Sequence, residues 1–423
     1  MPLALGLGLG LSFHNNSGNG PSLDLDFLTL SALPASVTFT RASTATYFDS
    51  AGVLQTASSG VPRLADYNPS TLTRMGFLVE GSRTNLLLRS AEFDNASWQK
   101  NPGLPVTATA NQATGPDGAT SADLITTTAG AGYPYLRQAV TGVDGTTYTY
   151  SVFVKYTNSD YIWFDFPTDS FLTTFRFSTA TFTYVAAGIT TSVVACQNGW
   201  YRIQLSRALN GTTSMFAGIG IADAAGNHTW TPAGTETVLV WGAQLEAATF
   251  PSSYIPTTSA TVPRSADLAV ITGAAAAAII NNTEGTLFAE FAFAGGDSSF
   301  GSSARGILEM TDGTSAEWHA TYNRAGAVGW ISNDGGVPQS GENVGATIAV
   351  GAATRIAYGY KLNDTRLARE GSLTSLDPAC TMPTCDRVQL GNLVSNGWLY
   401  GHLRRVKVYR FRHTDAQLQA LTV

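Results

Sequence analysis

The residue types that carry out catalysis are sparse in this sequence, and their spacing matches no common catalytic arrangement. The chain lacks a Glu-x-Asp-x-Glu strand of the kind that places the two carboxylates of some β-sandwich glycosidases on one face. It also lacks the GxSxG, HExxH and GxxxxGK[ST] patterns, and its five histidines are dispersed. Asp24 and Asp26 share one face of a predicted strand, but no third ligand lies near them in the sequence. The sequence therefore predicts no catalytic residue, no metal site and no cofactor.

Aromatic residues offer a different chemistry, because a flat ring can stack on the apolar face of a sugar. Tyr161, Trp163 and Asp165 alternate with Ile162 and Phe164, so a strand here places the two sets on opposite faces. If Ile162 points into a core, the other three form an outward sugar platform with Asp165 as hydroxyl acceptor. In the alternative, Trp163 is a core residue and its neighbours pack at a domain interface. Trp318 and Trp330 form a second candidate site, with the same alternative.

Composition predicts an all-β protein with large cores. Of the 423 residues, 44% are hydrophobic and 13% charged, and 43 are glycine, which weakens helices. The net charge is −6 and no basic stripe is present, so nucleic acid is not an expected partner. A basic cluster at 404–412 alternates with apolar residues and is typical of the solvated face of a strand.

The N-terminus places leucines at alternate positions, with small residues between them. One extended face would carry Leu3, Leu5, Leu7, Leu9 and Leu11. The run lacks a basic n-region and is too short to cross a bilayer, so neither export nor membrane insertion is expected. The leucines are predicted to anchor the chain to a partner protein by strand addition, or alternatively to form the first strand of its own sheet.

Turn signals divide the chain into three predicted parts. Residues 1–90 contain short, irregular strands and form the predicted anchoring region. Residues 91–266 and 267–423 each show strands at regular spacing, typical of antiparallel β-sandwiches of jelly-roll type. The last segment, 414–421, has the pattern of a short capped helix. Three cysteines are few for a secreted scaffold, and whether Cys380 and Cys385 are bonded is left open.

Several motifs resemble the head-spike or tail-fibre proteins of tailed bacteriophages and prophages. These are LDLDFLTL, SVTFTRASTATYFDSAGVLQTASSGVPRLADYNPST, GFLVEGSRTNLLLRSAEFDNASW, NGWYRI, VWGAQLEAATFPSSYIPTTSATVPRSAD and GHLRRVKVYRFRHTDAQLQAL, which together span most of the chain. The resemblance implies a carbohydrate-binding-like sandwich in the middle and a concanavalin-A-like or laminin-G-like sandwich at the end. It also implies a location on the virion surface, in either head or tail, and assembly as a homotrimer.

The sequence is therefore interpreted as a non-enzymatic fibre or spike protein. Its expected partners are other virion proteins, through residues 1–90, and host surface polysaccharide, through its sandwiches. The sequence leaves two alternatives open. One is a glycan-degrading spike enzyme whose carboxylates are far apart in the sequence and come together only in the folded chain or across subunits. The other is a purely structural decoration protein. Release of reducing ends from host polysaccharide would distinguish the enzyme from the other two.

Overall fold

The computed structural model describes residues 20–168, 172–293, 304–324, 326–344, 347–395 and 397–423. Strands account for 49% of the chain and helices for 4%. The named strands pair antiparallel throughout the described residues; most of them form two sandwiches, and the others form two-stranded sheets. The all-β fold class is therefore confirmed. The leucines predicted to anchor the chain, Leu3 to Leu11, lie outside the described residues.

The N-terminal part contains seven short strands between turns rich in Gly, Pro, Asn and Asp. They are β1 Leu23–Asp26, β2 Thr38–Thr40, β3 Ala45–Phe48, β4 Leu54–Ala57, β5 Arg63–Tyr67, β6 Arg74–Val79 and β7 Arg83–Asn85. In β1 the predicted alternation holds: Leu23 and Leu25 are buried, whereas Asp24 is exposed. Asp24 and Asp26 form cross-strand ion pairs with Lys407 and Arg405. These pairs place part of the basic cluster beside two carboxylates.

The first sandwich consists of two six-stranded sheets with a continuous apolar core between them. Its strands are β8 Gln99–Lys100, β9 Thr107–Thr114, β10 Thr120–Thr126, β11 Tyr135–Thr141, β12 Thr147–Tyr156, β13 Tyr161–Asp165, β14 Leu172–Arg176, β15 Thr181–Tyr184, β16 Thr190–Ala195, β17 Trp200–Ala208, β18 Ser214–Ile221 and β19 Thr237–Glu246. One sheet has the order β16-β17-β12-β19-β10-β9 and the other β15-β14-β13-β18-β11-β8. A short 3-10 helix, Gln197–Gly199, precedes β17.

The second sandwich packs an eight-stranded sheet on a seven-stranded one. The elements of this part of the chain are β20 Val262–Arg264, β21 Leu268–Ile271, α1 Gly273–Ile279, β22 Glu284–Phe293, β23 Arg305–Thr311, β24 Trp318–Arg324, β25 Ala327–Asp334, β26 Val337–Val344, β27 Thr354–Lys361, β28 Arg366–Arg369, β29 Ser372–Leu373, β30 Arg387–Leu390, β31 Asn392–Leu393, β32 Gly397–Trp398, β33 Gly401–Tyr409 and α2 Asp415–Leu421. Of these strands, β20 pairs with β7, and β31 pairs with β32, in separate two-stranded sheets. Thr414 caps α2 with a complete capping box, in line with the predicted capped helix.

Strands from the N-terminal part complete both sheets of the second sandwich. β1 and β6 pair with β33, and β2 pairs with β21. Leu25, Phe27, Phe77 and Val79 belong to the same core cluster as Leu403 and Val406. A cut at residue 266 would therefore separate β33 and β21 from strands with which they pair.

Five charged residues from the motifs of the resemblance meet in one buried ion cluster. Arg41 and Arg63 both bind the carboxylate of Asp267, at 3.0 and 2.5 Å, and Arg63 also binds Glu80 at 2.7 Å. Arg264 lies 3.6 Å from Glu80. All five residues are at most 3% exposed. Burial raises the pKa of Glu80, but the charges of Arg264 and Arg63 outweigh it and hold that pKa well below its usual range. The cluster joins the N-terminal strands to the connector between the sandwiches.

The three cysteines are unpaired, and both α-helices are short. Cys196, Cys380 and Cys385 are free thiols, so Cys380 and Cys385 are not joined by a disulfide bond. The Cys380 thiol lies near Thr365 and the carbonyl of Lys361, and Cys385 packs in the core of the second sandwich. Within the described ranges, neither α-helix is long enough to cross a bilayer, since each has seven residues.

Candidate functional site

The outer face of one sheet of the first sandwich carries the residues singled out in the sequence. Ile162 and Phe164 point into the core, as the platform prediction requires. Tyr161, Trp163 and Asp165 therefore lie on the opposite face of β13. Neighbouring strands add Tyr135 and Arg137 from β11 and Phe216 from β18 to the same side of the sheet. This surface is called the aromatic face: Tyr135, Arg137, Tyr161, Trp163, Asp165 and Phe216.

Two glycines of β18 form the floor of the aromatic face. Gly220 lies between Trp163 on one side and Tyr135 on the other, and Gly218 lies between Asp165 and Arg137. A Cβ atom on Gly220 would come within 2.3 Å of the indole, so no larger residue fits there without a shift. With the central strand bare, side chains from the outer two strands meet above it.

The contacts across this floor are aromatic in one row and ionic in the next. Trp163 and Tyr135 pack edge to face with ring centroids 5.9 Å apart. Arg137 donates a hydrogen bond to Asp165 at 2.6 Å. The Arg137 guanidinium also lies 3.6 Å from the centre of the Phe216 ring and 4.8 Å from that of Tyr135. The face is thus pre-assembled by its own side chains.

The exposure of these residues corrects the sequence prediction for Trp163 and Asp165. Both are only 2% exposed, so neither is presented to solvent as a platform. Trp163 is therefore buried, as the core alternative states, but it lies on the outer side of β13 and not among the residues between the two sheets. The indole is covered instead by Tyr135 and His228, whose ring lies 5.8 Å away. Trp163 and Asp165 support the face from below, whereas Tyr161 is partly exposed.

The rim of this face is formed by Tyr133, which is exposed, and by Tyr161 and His228, which are half-buried. Tyr133 is 44% exposed and stacks on His228 at 5.9 Å. His228 belongs to the loop after β18, and a Cβ atom on Gly226 of the same loop would lie 3.3 Å from the Tyr161 ring. Gly226 has φ of +86°, a conformation that favours glycine. The loop therefore joins the two tyrosines into one rim.

Charged and polar groups surround this rim. Arg176 lies 5.1 Å from the centre of the Tyr161 ring and donates to Asp160 at 2.8 Å. The slight burial of Asp160 raises its pKa, but hydrogen bonds from Arg176 and Ser178 outweigh that effect and lower it overall. Burial lowers the pKa of His228, which favours the neutral imidazole. The exposed Asn227 bonds Asp223 within the same loop.

Trp318 and Trp330, the second predicted site, do not form one surface. Trp318 lies on the outer side of β24 and packs with Tyr322 and Leu393 at 8% exposure. Trp330 is 1% exposed and stacks on Tyr358 at 4.9 Å inside the sandwich core. The prediction of a joint binding surface for these two rings is therefore wrong, because β24 and β25 place them on opposite faces of the sheet.

Sequence reasoning missed Tyr133, Tyr135, Arg137 and His228. The alternation of Tyr135 and Arg137 along β11 was a usable signal, and so was the Gly-x-Gly spacing of β18. What the sequence does not show is that β18 lies between β11 and β13. That pairing joins segments about 50 to 80 residues apart in the chain.

Comparisons with known proteins give only distant likenesses. No protein-family model and no curated protein matches the chain. Among solved structures, the CBM40 domain of Ruminococcus gnavus IT-sialidase bound to α2,3-sialyllactose is 18% identical, covering 34% of this chain and 84% of that one, with a TM-score of 0.29. Domain 4 of AbnA, an extracellular arabinanase from Geobacillus stearothermophilus in complex with arabinotriose, is 10% identical, covering 41% and 82%, with a TM-score of 0.28. Mouse laminin α1 domains LG4-5 are 11% identical, covering 65% and 87%, with a TM-score of 0.24. Likenesses at these values carry no argument about what this chain binds.

Proposed function

We propose that this protein is a non-enzymatic fibre or spike of a phage-like particle and binds a host surface glycan at its aromatic face. The partly exposed rim of Tyr133, Tyr161 and His228 above a floor of packed side chains is the observation that carries the proposal. Tyrosine rings stack on the apolar faces of sugars, by analogy with their stacking on other flat ligands. Polar groups beside them, such as Asp160 and Arg176, suit vicinal hydroxyls.

Contacts within the protein hold the side chains of the aromatic face in place, and this favours binding. The Tyr161 ring lies against the Arg176 guanidinium and beside Gly226, where an added Cβ atom would be 3.3 Å from the ring, so little side-chain entropy is lost when a ligand orders it. Trp163 and the Arg137–Asp165 pair fill the space beneath the rim. An exposed ring on such a support loses less freedom on binding than a ring on a mobile loop.

The virion location and the homotrimer rest on the resemblance to phage spikes and fibres. In this proposal, residues 1–90 attach the protein to the particle, and the first sandwich faces the cell. Electron microscopy of particles labelled with an antibody against the first sandwich tests the location. Sedimentation of the purified chain tests the trimer.

Glycan binding is tested on an array of bacterial surface polysaccharides. We expect wild-type protein to bind a restricted set, and Tyr161→Ala and Tyr133→Ala each to weaken that binding by about 5- to 150-fold, the range that corresponds to ~1–3 kcal/mol per stacked ring. Tyr156→Ala is the matched control, because Tyr156 is 50% exposed but belongs to the other sheet of the same sandwich. Equal losses in all three variants, or no bound glycan, would contradict the proposal. Release of reducing ends from a bound polysaccharide would instead favour the depolymerase alternative.

A further inference from the structure

One edge of the first sandwich is formed by strands that carry no charged residue. β15 and β16 follow each other in the chain, and each is the last strand of one of the two sheets. The short loop between them, 185–189, places both sheet edges on the same side of the sandwich. Between Arg176 and Arg202 the sequence has no Asp, Glu, Lys, Arg or His, and no other stretch without these residues is as long. Residues 181–195 are called the uncharged strip.

β16 lacks the features that shield most edge strands. Its six residues, TTSVVA, pair with β17 without a register shift, and the strand pairs with no other strand of the described sheets. Alternate residues of an antiparallel edge strand direct their N–H and C=O groups away from the sheet. Natural proteins shield such edges with charged side chains, prolines or bulges. β16 has none of these, so its outer side is open to pairing.

The other edge strands of the two sandwiches are shielded or short. β9 pairs with register shifts, and so does β26, which also contains Pro338 and Glu342. β5 carries Arg63 and Asp66. β2, β8 and β29 have only two or three residues each. An unshielded edge is therefore specific to the uncharged strip and is not a general property of this fold.

The side chains of the uncharged strip resemble those of protein interfaces. Tyr184 is 58% exposed and Val185 is 38% exposed. Interface cores are depleted in charged residues and enriched in tyrosine. The exposed residues of β16 are Thr190, Ser192 and Ala195, whose small side chains let another backbone approach closely.

The absence of charge favours a second copy of the chain as the partner. The net charge is −6, so two copies repel each other on average, and a contact through uncharged strands avoids that cost. The strip carries no charge that an acidic or basic partner could match. An open strand edge presents both donors and acceptors, so one such edge is complementary to another. Arg207 of the neighbouring β17 donates to the carbonyl of Ala187, so this cation is directed at its own chain.

We propose that the uncharged strip is the interface through which copies of this chain assemble. The inference rests on the assembly of several copies in the proposed function, but it does not rest on glycan binding. Tyr184 and Val185 of one copy pack on the strip of the next, and the open N–H and C=O groups of β16 bond to its backbone. In the proposed homotrimer, the strips of the three copies lie around the common axis.

Sedimentation equilibrium of the full chain tests this interface with Ser192→Lys and Ser192→Asp, because Ser192 is exposed in the middle of β16. We expect each variant alone to self-associate at least about tenfold more weakly than wild type, since like charges then meet. An equimolar mixture of the two variants should regain assembly, because opposite charges then meet. Val337→Asp is the matched control: Val337 is 57% exposed in the edge strand β26, and this variant should assemble like wild type.

Several results would overturn the assignment, and they separate it from the rest of the proposed function. If wild type assembles and the Ser192 variants assemble equally well, copies meet through another surface. Equal weakening by Val337→Asp, or no recovery in the mixture, would contradict contact between strips. A wild-type chain that is monomeric up to about 100 μM would overturn the interface and the homotrimer together, while the polysaccharide array tests glycan binding separately. Circular dichroism checks folding, and Val185→Asp replaces the Ser192 variants if they do not fold.

Discussion

The buried ion cluster gives a sharp stability prediction through Asp267→Asn. One carboxylate oxygen of Asp267 accepts from Arg41, and the other accepts from Arg63 and from the backbone N–H of Glu80. Asparagine keeps the shape of the side chain but removes the charge. Glu80 is then the only acidic member of the cluster, facing three buried arginines. Breaking a buried pair in this way costs about 3–5 kcal/mol, because the remaining charge is uncompensated.

The assay is urea unfolding of the full chain, read as the free energy of its first transition. Asp386→Asn is the matched control, since Asp386 pairs with Arg387 at the surface and its side chain is 65% exposed. Surface pairs contribute about 0–1 kcal/mol. If Asp267→Asn destabilises no more than Asp386→Asn, the cluster does not hold the N-terminal strands to the connector. Arg41→Met extends the test if Asp267→Asn is too unstable to purify.

Three further predictions concern the sandwiches. Burial raises the pKa of Glu309 to about 8 from 4.5, so the folded state holds a proton that the unfolded state releases, and stability should fall as pH rises between these values; Glu309→Gln should abolish this slope in unfolding curves measured from pH 5 to pH 8. Trp163→Ala should lower the free energy of unfolding by about 3–5 kcal/mol, because the indole is 2% exposed, whereas thermal unfolding of Tyr161→Ala should match wild type. A fragment of residues 267–423 should unfold without a cooperative transition by circular dichroism, because β1, β2 and β6 are missing from its sheets, and a sharp transition would contradict this pairing.

Local patterns predicted the elements of this fold well. Ile162 and Phe164 alternate with Tyr161 and Trp163, and that alternation predicted correctly that the two sets lie on opposite faces of β13, although it left open which set faces the core. Thr414 before Asp415 and the DAQLQAL pattern predicted the start of α2, where the structure has a capping box of Thr414 and Gln417. In both cases the information lies within one element, so a short window of sequence contains it.

Short windows of sequence predicted neither the long-range pairing of strands nor the solvent exposure of side chains. Leu25 pairs with Val406, which lies 381 residues further along the chain. The residues around Leu25 do not indicate this pairing, because the alternation within one strand does not show which other strand it pairs with. Exposure of Trp163 depends on Tyr135 and His228, which come from another strand and a loop. The platform prediction therefore identified the correct face of β13 but took Trp163, which is buried, as an exposed residue.

A crystal structure with the oligosaccharide that binds best on the polysaccharide array is the decisive test of glycan binding at the aromatic face. We expect a sugar ring stacked on Tyr161 or Tyr133, with its hydroxyls within hydrogen-bond distance of polar groups around the rim such as Asp160 or Arg176, and Trp163 still covered beneath. Electron density for the oligosaccharide on the second sandwich, or on the first sandwich's other sheet near Tyr156, would contradict it.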